Sequence, residues 1–292
     1  FFFVLSGFVL YPQLLKVLDN KKNLFIFYKR RWMRTLPLYF IVLILISILT
    51  GHLISWDFLK YLILIQKSFP GFLNNDYYPV IWHLSIEEFF YLIFPLIIIT
   101  SNRDNFILRA IYVFIGIIIA KFILSHIVDA NFFRTGTLLR FDAILIGFII
   151  AHFKDYLLSK KKLIFISFIF FSLIYLFNSN FFINGKDIPI LKFFFILLMQ
   201  VTSTAVMLTF ILMEPFITNN NFKKFCLLIS EQAYSIYLFH MILIYIFKKM
   251  EYSVFFTSSL YIILLFFIST LVYRFLEKPI MKLRPKILDS NA

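Results

Sequence analysis

The chain reads as a succession of long apolar stretches separated by short, charged connectors. A helix needs roughly 17–25 mostly apolar residues to cross about 30 Å of hydrocarbon. Stretches near that length fall at about 36–55, 82–100, 105–125, 138–153, 163–178, 190–213, 225–247 and 253–276, with a partial one at 1–11. The segment from Asp57 to Gln66 is apolar but too short to cross. It is expected to lie at the interface or to re-enter, with Trp56 and Tyr61 at the headgroup level. No Gly/Ser linker or polar block divides the chain, and no internal repeat is visible. The pattern predicts an all-α integral membrane protein, a polytopic helical bundle forming a single transmembrane domain over 1–292.

Composition supports this reading. Of 292 residues, 61% are hydrophobic and 15% charged, with 42 Phe against 7 Gly. Soluble domains run near half apolar and a quarter charged, so one soluble globule is excluded. The net charge of +14 does not indicate nucleic acid as a partner, because a nucleic-acid binder needs its basic residues on a solvated face. The single cysteine, Cys226, leaves no intrachain disulfide and no cysteine-based metal site. His52, His126 and His152 stand at span ends without metal-ligand spacing, so no metal is expected.

The charge is instead distributed by connector. Segments 12–35, 101–104, 154–162, 214–224 and 274–292 carry 19 Lys and Arg, and the alternating segments 55–81, 125–137, 179–189 and 248–252 carry 6. Basic connectors remain cytoplasmic, which predicts a multi-pass protein of the cytoplasmic (inner) membrane with a cytoplasmic C-terminus. Some of this charge is expected to touch anionic lipid in the bilayer.

Polar residues in or beside spans are expensive, so each is a functional candidate. The densest cluster is Lys29-Arg30-Arg31-Trp32-Met33-Arg34-Thr35-Leu36-Pro37. On a helix Arg34 shares a face with both Arg31 and Arg30, and Pro37, lacking an amide hydrogen, is expected to bend the chain there. Three guanidiniums at such an elbow suit a polyphosphate, since each can fork onto phosphate oxygens. Their alternative reading is a topological anchor on lipid phosphate.

The second cluster is Trp82-His83-Leu84-Ser85-Ile86-Glu87-Glu88-Phe89-Phe90-Tyr91, which runs into a span containing Pro95. Adjacent carboxylates diverge by about 100°, so at least one of Glu87 and Glu88 is expected to face a polar interior, and His83 and Glu87 are spaced to pair. The alternative is an exposed helix start with acids complementing the dipole. Arg140 and Asp142 flank the mouth of the shortest span and read as a local ion pair that eases insertion, with Gly147 permitting close helix approach. The run from Ser230 to His240 suits helix–helix contact, and His240 reads as a hydrogen-bonded core histidine. Glu277-Lys278-Pro279 ends the last span.

Taken in order, these motifs resemble the acyltransferase 3 family. The resemblance rests on Phe2-Phe3-Val4-Leu5-Ser6-Gly7-Phe8, then Arg30-Arg31, Arg34, Pro37 and Tyr39. It continues through Trp82, Leu84-Ser85-Ile86-Glu87-Glu88-Phe89-Phe90-Tyr91 and Pro95, then Arg140, Asp142 and Gly147. Tyr234-Ser235-Ile236-Tyr237-Leu238, His240, Glu277 and Pro279 extend it over essentially the whole chain. Each motif is short and weakly specific; the ordered set is strong.

The resemblance implies a bacterial-type membrane O-acyltransferase, commonly an O-acetyltransferase, with ten core helices. Such enzymes move an acyl group from acyl-coenzyme A, usually acetyl-CoA, to a hydroxyl of a carbohydrate or glycolipid acceptor. The family's Arg-x-x-Arg pattern falls on Arg31 and Arg34, facing the phosphates of coenzyme A from the cytoplasm. Ser6, Gly7, Pro37, Trp82, Tyr91, Arg140, Asp142, Tyr237 and Glu277 fall on supporting positions. The family's catalytic histidine lies on a first core helix, before the motif with which this chain begins. The expectation is therefore about nine spans of ten, with that helix missing upstream of residue 1. His83 also departs from the family, which more usually has a small hydroxyl residue there.

Alcohol attack on a thioester needs a base near neutrality, a group to orient it and donors for the oxyanion. Glu87 or Glu88 could orient the base, and His240 could supply it if the upstream histidine does not. The competing reading is a secondary transporter or flippase for a lipid-linked sugar or anion, using the same arginines and acids as a path.

Overall fold

The computed structural model describes residues 1–103, 105–184, 188–248 and 254–288. Helices make up the regular structure of these residues: α1 (Phe2–Asp19), α2 (Asn23–Thr50), α3 (Trp56–Leu62), α4 (Trp82–Ile98), α5 (Phe106–Leu124), α6 (Ala130–Thr135) and α7 (Phe141–His152). They continue as α8 (Lys154–Ser159), α9 (Lys161–Asn184), α10 (Pro189–Met213), α11 (Asn220–Phe247), α12 (Val254–Val272) and α13 (Lys278–Lys282), the last two joined by a π turn over Tyr273–Glu277. An all-helical body is what lipid requires, because a helix satisfies its own backbone hydrogen bonds.

Seven segments among the described residues are long and apolar enough to cross a membrane: Phe2–Asp19, Asn23–Thr50, Pro79–Ile98, Phe106–Leu124, Pro189–Phe216, Asn220–Phe247 and Ser258–Lys282. Two boundaries move from the sequence-based expectation. The partial span at 1–11 is a helix continuing to Asp19 through Pro12, and α2 begins a dozen residues early, carrying the arginines inside the helix and running unbroken through Pro37. Its end is set by Gly51, whose φ of 75° lies in the left-handed region that a Cβ disfavours. The expected span at 138–153 becomes the 12-residue helix α7, packed inside the bundle, with Asp142, Ile144, Leu145 and Phe148 fully buried. The expected span at 163–178 lies within the 24-residue α9.

The segment after α2 folds inward. Asp57 accepts from Lys60 Nζ (3.0 Å) and from the amides of Asn74 (3.2 Å) and Asn75 (2.7 Å). Burial alone would raise its pKa; Lys60 and the two amides outweigh that and hold the carboxyl below its usual value. Gln66 is buried and donates to Ser85 Oγ of α4 at 2.5 Å. Trp56 is exposed, as a headgroup residue would be, but Tyr61 is not: it is enclosed, and its carbonyl accepts from Tyr39 Oη at 2.6 Å.

Two large cores form around this frame, and a smaller one gathers Phe133, Leu139, Phe193 and Ile196. One joins α1, α4, α5 and α7 through Leu10, Leu14, Phe90, Phe94, Phe106, Ile144 and Phe148. The other joins α2, α4, α11 and α12 through Tyr39, Val42, Ile46, Leu84, Leu238 and Ile242. α4 belongs to both. Large apolar residues outside them, such as Ile48, Ile119 and Ile263, are exposed on the outer surface, where lipid rather than protein covers them.

The closest approach is between α1 and α7. A Cβ on Gly7 would sit 1.8 Å from the carbonyl oxygen of Ile144, and one on Gly147 1.8 Å from that of Val4. Both obstacles are backbone, so neither can yield without shifting a helix. Gly147→Ala is expected to destabilise by at least the 1–3 kcal/mol typical of overpacking. Thermal unfolding in detergent tests this: an unchanged midpoint would show that the helices can separate freely.

Candidate functional site

Several of the connectors meet at two ends of the bundle. At one end Arg103 bridges Asp19 at 2.5 Å, and Asn23 clasps the C-terminal segment, donating to the Leu288 carbonyl (3.0 Å) and accepting from the Leu288 amide (2.9 Å). This joins the basic segments 12–35, 101–104 and 274–292. At the other end the Thr137 amide donates to the Lys67 carbonyl (3.0 Å) and Lys192 Nζ to the Val128 carbonyl (2.5 Å), joining the sparsely basic connectors. α4 runs between the two, and the candidate residues lie along it.

At the basic end Arg31 Cζ lies over the Tyr91 ring, 4.0 Å from the centroid, and Tyr91 in turn hydrogen-bonds Ser6 of α1. Nε and Nη2 of Arg31 are buried and meet no acceptor among the described residues. Arg30 donates through Nη1 to the Pro285 carbonyl at 2.6 Å, which brings Arg284 alongside. Arg284 also buries Nε and Nη2 without an acceptor. Its own burial, then the positive charges of Arg34, Arg30 and Arg31, bring its pKa down to about 10. Four guanidiniums therefore converge here, and among the described residues none of them forms a salt bridge. Mutual repulsion and orphaned donors are both relieved by a polyanion. Sequence reasoning assigned Arg284 only to a basic tail, because it reaches the cluster from more than 250 residues away.

The carboxylates line the neighbouring interior. Glu87 lies within electrostatic reach of Arg31 and Arg34 and beside the Ser6 hydroxyl. Glu88 accepts from Thr35 Oγ1 at 2.6 Å, while its Oε2 is buried without a partner. It also lines a lateral groove of about 240 Å³ between α2 and α4, with Trp32, Leu36 and Phe40. Tyr234 Oη donates to the Thr35 carbonyl at 2.7 Å, fixing α11 to α2, and Ser235 donates to Glu277 at the π turn. Thr35 is thus a junction that the sequence did not single out.

The expected pairing of His83 with Glu87 does not form. His83 Nδ1 faces the Val80 carbonyl at 3.3 Å, which makes Nδ1 the protonated nitrogen, since a carbonyl only accepts. The ring packs on Trp82 (3.7 Å) and Phe3 (5.2 Å), and Tyr237 donates to the same Val80 carbonyl. His240 is half-buried, with Nδ1 2.5 Å from the Tyr237 carbonyl.

The other end of α4 opens into a cavity of about 650 Å³, walled by Phe3, Trp82, His83 and Phe133 and reached by Arg140. Here a second expectation fails. Arg140 does not pair with Asp142: Asp142 Oδ2 is held by Lys121 Nζ at 2.5 Å, with both side chains fully buried. Residues two apart do not face each other on a helix, so Asp142 turns towards α5 and Arg140 towards the cavity.

These features define a helical membrane protein with an anion-seeking basic end and an aromatic cavity at the opposite end. A family model described as an acyltransferase domain, acyltransferase 3, matches residues 1–274, so the chain belongs to that family. The O-acetyltransferase OatA of Staphylococcus aureus (strain NCTC 8325 / PS 47) is 27% identical over an alignment covering 96% of this chain. The chain spans about half of that relative, 52% of its length. An uncharacterized protein of Haemophilus influenzae is 27% identical over 238 residues, covering 69% of this chain and 97% of that protein. No solved structure matches the chain.

Proposed function

We propose that the chain transfers an acyl group, acetyl in the simplest case, from acyl-coenzyme A to a hydroxyl of a cell-surface or secreted carbohydrate. The observation that carries this reading is the pair of unlike sites at the two ends of α4. Arg31 and Arg284 offer forked, unpartnered donors, with the charges of Arg30 and Arg34 beside them, suited to the phosphates of a nucleotide thioester. The aromatic cavity beside Trp82 and His83 suits sugar rings. The excess of basic connectors at the arginine end supports a donor bound on the cytoplasmic side of the inner membrane, together with the C-terminus.

In this reaction the acceptor oxygen attacks the thioester carbonyl, its proton passes to a base, and coenzyme A leaves as the thiol. The arginines bind and orient the donor, and Tyr91 and Ser6 hold Arg31 in place. Glu87 and Glu88 keep the inner end polar through Ser6 and Thr35, and either would orient a base held beside it. The test is donor-dependent labelling: membranes carrying the full-length protein and given radiolabelled acetyl-CoA should yield labelled glycan. Movement of a lipid-linked sugar with no donor consumed would favour a carrier instead.

Arg284 extends this reading. A hydrogen bond to a charged group contributes about 1.5–3 kcal/mol. Arg284→Gln should therefore raise KM for acyl-CoA roughly tenfold or more, with kcat little changed. Initial rates against donor concentration check this, and an unaltered KM would remove Arg284 from the donor site.

A further inference from the structure

One buried acid is built against the arginine cluster from the far end of the chain. Glu277 is 6% exposed and closes the π turn Tyr273–Glu277, a kind of turn that is rare and recurs at functional sites. A run of contacts ties it to the arginines. Tyr234 of α11 donates to the carbonyl of Thr35, the residue after Arg34, and its neighbour Ser235 donates to Glu277 Oε1. From Glu277 the chain runs through α13 to Arg284 and Pro285, and the Pro285 carbonyl accepts from Arg30 Nη1 at 2.6 Å.

The charge of Glu277 reaches Arg34 and Arg284. Glu87 reaches Arg31 and Arg34, and Glu88 reaches Arg31, so Glu277 is the acid that faces the Arg284 side of the cluster. It does so without closing a salt bridge, and both arginines keep their donors free of it. Ending a helix does not account for this placement, because α13 continues through Pro279 to Lys282. Pro279 lacks an amide hydrogen, which accounts for a distorted turn ahead of it but not for a buried carboxylate in that turn. Such a carboxylate is costly unless hydrogen bonds and cations compensate it. Ser235 supplies the hydrogen bond, and the arginines supply the charge.

We propose that Glu277 is a positioning residue of the donor site, a built-in counter-anion that holds Arg34 and Arg284 together while the cluster is empty. It offsets part of their charge, so coenzyme A is held less tightly than the arginines alone would hold it. The proposal rests on the acyl-coenzyme A reading of the cluster. The experiment uses the full-length protein in phosphatidylcholine nanodiscs, with calorimetric titration of coenzyme A and thermal unfolding without ligand. Glu277→Gln keeps an oxygen for Ser235 and loses the charge, whereas Glu277→Asp keeps the charge.

Glu277→Gln should bind coenzyme A about fivefold more tightly or better, as loss of a nearby like charge predicts for an anion. Glu277→Asp should stay closer to the parent. Without ligand, Glu277→Gln should melt below the parent at about 0.01 M salt and approach it at about 1 M, where screening over about 3 Å quiets the arginines. A purely structural role predicts weaker coenzyme A binding and the same loss of midpoint at every salt concentration. Unchanged or weaker coenzyme A binding by Glu277→Gln would overturn the proposal. So would a midpoint indifferent to the substitution, or a loss that salt does not reverse, failure to fold included. If the parent itself binds no coenzyme A, the donor reading fails, and the salt-dependent midpoint alone decides whether Glu277 holds the arginines.

Discussion

Replacing Arg31 and Arg34 together by alanine is expected to lower kcat/KM for acyl-CoA at least a hundredfold while leaving the protein folded. Arg31 is preorganised: Tyr91 supports its guanidinium face at 4.0 Å, and Ser6 anchors Tyr91. Its buried Nε and Nη2 face no acceptor among the described residues, which leaves them open to the proposed donor. Losing two charged contacts at roughly 1.5–3 kcal/mol each corresponds to about two to four orders of magnitude. Arg31→Lys with Arg34→Lys should fall between, since ammonium retains the charge but not the fork. Yield and thermal midpoint in detergent control for folding. A double alanine variant that labels glycan at the parental rate would end the proposed donor site.

The second large effect is on stability. Lys121 and Asp142 face each other with no exposed surface, and Asp142 Oδ1 also accepts from the Ala143 amide at 2.8 Å. Removing either partner alone, as in Lys121→Met or Asp142→Leu, leaves a charged group stranded and should cost about 3–5 kcal/mol. At about 2–4 °C per kcal/mol for chains of somewhat smaller size, the midpoint should fall by at least about 6 °C. The double variant Lys121→Met with Asp142→Leu should recover most of that loss, because two apolar side chains of similar volume remove the desolvation cost as well as the attraction. Simple addition of the two single losses would show that the residues do not act as a pair.

These two effects differ in how far they could be read in advance. The arginine cluster was legible because its three members lie within five residues on one helix, with Arg34 sharing a face with each of the others, a relation set by 3.6 residues per turn. Lys121 was not, because it sits 21 residues from Asp142 on another helix. Sequence proximity instead suggested Arg140, whose i, i+2 spacing turns it away from Asp142. The His83–Glu87 spacing was sound, but the Val80 carbonyl, in the 3-10 turn ahead of α4, lies within reach of the imidazole.

The sequence alone determined the class of body, most of its spans, the two-sided charge pattern and the family. The reason is that lipid acts on each segment separately: a span must be apolar and satisfy its own backbone, whatever its neighbours are. Only the tertiary structure decided which polar groups meet. The convergence of Arg284 on the elbow, the Thr35 junction, the Lys121–Asp142 pair and the unpaired Arg140 all depend on contacts between segments distant in the chain. Such contacts follow from how the helices pack, and close passages such as Gly7 against Ile144 help to set that packing.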